Sequence, residues 1–98
     1  MLTTQIQPKP ASRCDERLAE GLRAFERGDP AAALLSFRKA AANDLRRAEP
    51  WYWMGRVQED GGDRIAAGYC YSLAMELGVG YGPARQAMQR LGFLECER

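Results

Sequence analysis

Apolar side chains recur every three or four residues through most of this chain, the spacing of helices that bury one face. In residues 15–27 they fall at Leu18, Leu22 and Phe25, and in residues 30–43 at Ala33, Leu34, Phe37, Ala40 and Ala41. Trp51, Met54, Gly55 and Val57 predict a third helix over 48–60. Ile65, Ala67, Tyr71, Ala74 and Leu77 predict a fourth over 64–77, and Ala84, Ala87, Met88 and Leu91 a short fifth over 83–91. The breaks have their own chemistry. Gly28-Asp29-Pro30 combines a residue free to take positive φ, a carboxylate able to cap the next helix, and a proline suited to its first turn. Gly61-Gly62-Asp63 repeats the first two parts, Arg46-Arg47 lies in a loop, and Gly78, Gly80 and Gly82 punctuate the last turn. Residues 1–13, with Pro8 and Pro10, show no helical period and read as an extended N-terminal arm. The expected fold is all-α, with five helices.

The segments FERGDPAAALLSFRKA and EDGGDRIAAGYCYSLA say nearly the same thing twice. Gly21 and Gly55, Gly28 and Gly62, Ala33 and Ala67, Phe37 and Tyr71, and Ala40 and Ala74 are each 34 residues apart. Small residues at the first and third of these pairs let two helices approach closely. Phe37, Tyr71, Trp51 and Met54 are large enough to fill the wedge between them. Ala40 and Ala74 let one copy sit against the next.

A helix–turn–helix period of this length resembles the tetratricopeptide repeat family, and the likeness covers residues 14–92. The second copy carries it best, with WYWMG in place of the usual Trp-x-x-Leu-Gly, then GGD, Ala67, Tyr71 and Ala74. The resemblance implies antiparallel helix pairs stacked as a short right-handed α-solenoid. Repeat 1 would span 14–47, repeat 2 48–81 and a capping helix 82–92, with a tail over 93–98 whose Phe93 and Leu94 can fold back. Two departures matter. Arg17 and Glu20 stand where the first copy should have an aromatic residue and a leucine, as suits a helix with nothing before it to cover its outer face. The third copy reads RQAMQ and has only its first helix. MELGVGYGPA also resembles Sel1-like repeats, a second choice because their periods are longer.

In such arrays the first helix of each pair lines a concave inner face, and the resemblance implies that this face binds a peptide or helix of another protein. The inner positions are Leu18 and Leu22 on the first helix, Tyr52, Arg56 and Glu59 on the third, and Gln86 and Arg90 on the fifth. Apolar surface with two guanidinium groups suits a segment of some acidic character. The leucines also fit an ordinary core role, since the first helix has few other apolar residues. Chaperone-binding members of the family hold a C-terminal carboxylate with a lysine and an asparagine. Leu18 and Leu22 stand at those places, so that clamp is not expected. A groove of this length would bury about 1,000 Å² or less, the range of transient complexes. With fewer than three full repeats, the array is expected to form a homodimer, lean on a partner, or be closed by the fifth helix and Phe93. The alternative is a small assembly subunit that uses its convex face and terminal arms.

Composition narrows the classes of function. Net charge is +1 with the two signs interspersed, which argues against a surface built to neutralise many phosphates. No histidine is present, so histidine-based acid–base catalysis and metal ligation are excluded. Cys14, Cys70 and Cys96 are an odd number without CxxC spacing, which points to neither a zinc site nor a disulfide framework. No activating base is evident for Cys14, and Gly78-x-Gly80-x-Gly82 follows a helix rather than a strand, unlike a phosphate loop. No enzymatic activity, cofactor or metal is expected. The start of the chain shows no basic region followed by an apolar run, and no stretch approaches the ~20 apolar residues of a membrane span. The expectation is a cytoplasmic protein-binding module.

Overall fold

Ser12 opens the first helix through a reciprocal cap: its hydroxyl accepts from the Asp15 N–H at 3.1 Å, and the Asp15 carboxylate accepts from the Ser12 N–H at 3.3 Å. The structure, a computed structural model, describes residues 12–95. The first helix, α1, is Arg13–Glu26, followed by α2 (Pro30–Asn43), α3 (Glu49–Asp60), α4 (Arg64–Leu77) and α5 (Gly82–Arg90). No strand occurs among the described residues. The chain enters α1 two residues before the predicted start, because Asp15 is the third residue of the helix, where it closes the capping box, rather than the first. Of the arm expected over 1–13, residues 1–11 lie outside the described residues, and Arg13 belongs to α1. The tail expected over 93–98 is described only as far as Glu95.

The two hairpins are built alike. Gly28 and Gly62 take φ of 80° and 84°, the left-handed conformation that ends a helix without a Cβ penalty. Asp29 N–H donates to Ala24 O and Asp63 N–H to Gln58 O, both at 2.9 Å. Each aspartate then turns its side chain forward to cap the next helix, at Ala32 N–H (3.2 Å) and Ala66 N–H (3.0 Å). Consecutive helices pack on one another, most extensively within the hairpins α1–α2 and α3–α4. The architecture is an all-α stack of antiparallel helix pairs with α5 laid against the last of them.

Equivalent contacts recur at the repeat spacing. A Cβ placed on Gly55 would lie 2.5 Å from Tyr71 Cε1, and one on Gly21 would overlap the Phe37 ring in the same way. Phe37 and Tyr71 are both fully buried, as are Ala33, Ala67, Ala40 and Ala74. Two core clusters result, one between α1, α2 and the near side of α3, the other between the far side of α3, α4 and α5. Trp51 packs against both. Trp53 joins the first pair to the second by stacking on Phe37, with ring centroids 6.2 Å apart.

The chain closes its C-terminal end differently. Gly92 takes φ of 84° and Phe93 N–H donates to Met88 O at 2.9 Å, the same helix-ending geometry as at Gly28 and Gly62. Phe93 then stands where the hairpins place an aspartate, and it folds onto α4. A Cβ on Gly68 would lie 2.5 Å from Phe93 Cε2. Arg64 covers the other side of the ring at 4.5 Å from its centroid, and its Nε and Nη2 donate to Leu91 O at 2.9 and 2.6 Å. Both residues are departures of the second copy from the first, which has Pro30 and Leu34 at the equivalent places.

Candidate functional site

The seven inner positions divide into three groups. Leu18 and Leu22 face the first core cluster: Leu18 keeps only 7% of its surface exposed and Leu22 packs partly buried against it. The core role open to them in the sequence is the one Leu18 takes, and it leaves that residue little surface for a partner. Gln86 is exposed in the middle of α5. The remaining four form two linked polar contacts on α3 and α5.

Arg56 donates from Nη1 to the Tyr52 hydroxyl at 3.1 Å. Its guanidinium carbon lies 5.6 Å from the Trp53 ring centroid and 5.9 Å from that of Phe25, within the range of cation–π attraction. The hydrogen bond to Tyr52 outweighs burial and raises the Arg56 pKa. No carboxylate lies within ion-pair distance of Arg56 among the described residues; Asp60 and Glu59 act on it only through space, so a half-buried positive charge rests on aromatic surface with no carboxylate in contact.

Glu59 is differently placed. It accepts from the Tyr71 hydroxyl at 2.7 Å and from Arg90 Nη2 and Nε at 2.7 and 3.2 Å. Burial opposes ionisation of this carboxyl, but the hydrogen bonds from Arg90 and Tyr71 together outweigh it and hold its pKa below the ordinary 4.5. The Tyr71 hydroxyl is pushed upward, by burial first and by Glu59 second. Arg90 and Glu59 therefore neutralise one another and tie α5 to α3. Of the two guanidinium groups expected to face a partner, only Arg56 is left without a carboxylate in direct contact.

Three further residues complete the inner surface. Tyr81 stands edge-on to Tyr52 with centroids 5.8 Å apart, Trp53 lies beneath Arg56, and Phe25 reaches it from α1. In WYW, three consecutive aromatics cannot share one helix face, so they divide between the two clusters: Trp51 and Trp53 pack against the first, Trp51 and Tyr52 against the second.

Burial favours the protonated thiol at both described cysteines. Cys14 is buried and Cys70 partly so, and burial raises both thiols above their ordinary range. No cluster of three metal-ligating side chains occurs among the described residues, and no helix there is long and apolar enough to cross a membrane. Cys96 lies outside the described residues. A scan against protein-family models finds none that matches this chain, and a search of curated proteins finds no match either.

Proposed function

We propose that this chain is a short repeat module of the tetratricopeptide kind, working in the cytoplasm, that binds a segment or helix of another protein along α1, α3 and α5. The observation that carries the reading is the Arg56 charge held on Phe25, Trp53 and Tyr52 with no carboxylate in direct contact. A partner carboxylate set against that guanidinium would form a charge-assisted pair beside an aromatic surface, the combination typical of interface anchors. The role is adaptor-like or chaperone-like binding rather than catalysis, which the absence of histidine and the raised cysteine thiols support.

The test is affinity capture with the tagged full chain beside Arg56→Glu. Tyr52→Ala is avoided because Tyr52 also packs on Tyr71 and Tyr81. A partner captured by wild type and lost by a variant with unchanged helical circular dichroism supports the reading. Equal capture by both overturns it. One observation favours the alternative, an assembly subunit using its outer face. The large apolar residues with most exposure on any helix, Ile65 (70%), Tyr69 (72%) and Leu35 (53%), sit on α4 and α2. Capture that survives Arg56→Glu but fails with Ile65→Ser/Tyr69→Ser would assign the function to that face.

A further inference from the structure

A second surface shares no residue with the inner set. Arg38, Ala41 and Ala42 of α2, Leu45 of the following loop, and Trp51 and Met54 of α3 line an open hollow of about 370 Å³. Its walls are apolar except for one guanidinium. Arg38 is exposed and has no carboxylate within ion-pair distance among the described residues. The neighbouring Arg47, by contrast, is bound at 2.5 Å to both Asp15 and Glu49. Leu45 forms one wall while 70% exposed.

We infer that this hollow is a docking site for a protein segment that presents a large apolar side chain with an aspartate or glutamate beside it. The apolar side chain would fill the space between Trp51, Met54 and Leu45. The carboxylate would meet the Arg38 guanidinium at the rim, where fork geometry favours a bidentate pair. A peptide is favoured over a free amphiphile because the hollow is open at Leu45 and Arg38. Small-molecule sites enclose most of their ligand, whereas a segment covers an open rim with its own backbone. The chain's own first eleven residues, MLTTQIQPKPA, do not supply the complement, since they contain a lysine and no acidic side chain.

The probe is a displayed library of random short peptides, selected against the full chain and read out by fluorescence anisotropy of the labelled peptides. Selected peptides are expected to carry an aromatic or long aliphatic residue close to an Asp or Glu. Their affinity should fall at least about tenfold with Arg38→Glu and stay unchanged with Arg56→Glu. Arg38 is exposed, so its replacement leaves the core intact, which thermal melting checks. Leu45→Ser gives a second, uncharged variant and should also weaken binding. Several results would overturn the inference: selected peptides lacking acids, binding indifferent to Arg38→Glu, or dependence on Arg56 alone. Saturable binding of decanoate without any peptide would show a small-amphiphile site instead. Self-association lost with Arg38→Glu, again without an acidic peptide, would assign the face to a second copy of the chain.

Discussion

At Gly21 and Gly55 two effects of one methyl group oppose each other, and their magnitudes decide the sign. Alanine in place of glycine inside a helix ordinarily gains up to about 1 kcal/mol from backbone entropy. Here the new Cβ would meet the Phe37 or Tyr71 ring well inside van der Waals contact, and forcing a methyl group into a packed core costs about 1–3 kcal/mol. Both rings are fully buried and have nowhere to go. Gly21→Ala and Gly55→Ala are therefore expected to lose about 1–2 kcal/mol each in urea unfolding. Gly21→Ala/Phe37→Leu should recover part of the loss. A gain in stability for the single variants would show that the helix pairs are looser than described. The repeat spacing alone identified these glycines as close-approach points. The pairing of Arg90 with Glu59 was not legible, because it joins side chains on two different helices, a contact that no period reports.

Among the elements, α5 depends most on polar contacts. It is the shortest helix, nine residues, with no side-chain cap at its start. Glu59 and Arg90 join it to α3, while Arg64 and Phe93 fasten its end to α4. The Glu59 carboxyl titrates below its ordinary value in the folded state. Its stabilisation is thus complete above pH 4.5 and is lost as pH falls through the folded pKa. Asp15, held down chiefly by the Arg47 hydrogen bond, contributes with the same sign: its share is present above pH 3.8 and is lost as pH falls below it. Glu59→Gln should cost about 1–2 kcal/mol near neutral pH and flatten the acid limb of the stability profile. Amide exchange should quicken first in residues 82–90. An unchanged acid limb would place the titration elsewhere. The other helices were legible nearly to the residue, since α2 and α4 begin at Asp-capped turns. The start of α1 was not, because its cap pairs Ser12 with an aspartate where a glutamate or glutamine is the commoner signal.

For the whole molecule, α3 is the shared wall. Trp51 packs on both core clusters and Trp53 links α3 to Phe37, so the two halves are expected to unfold together. A single transition, coincident by far-ultraviolet circular dichroism and tryptophan fluorescence, is the expected result. Phe93→Ala/Arg64→Ala should lower the midpoint by about 4–8 °C for each kcal/mol lost. A separate early transition in the double variant would mean that the closing turn forms a unit of its own.

The closing turn also bears on how copies of the molecule meet. Stacked helix pairs present one kind of surface at the front and its complement at the back, a head-to-tail relation that grows without limit unless something stops it. Here both ends are altered. At the front, Arg17 and Glu20 bind each other at 3.0 Å where the second copy has Trp51 and Met54. At the back, Phe93 occupies the space that Gly68 opens, and Arg64 holds it there. The departures at the two ends are therefore expected to act as a chain terminator, so sedimentation at rising concentration should show no growth into filaments.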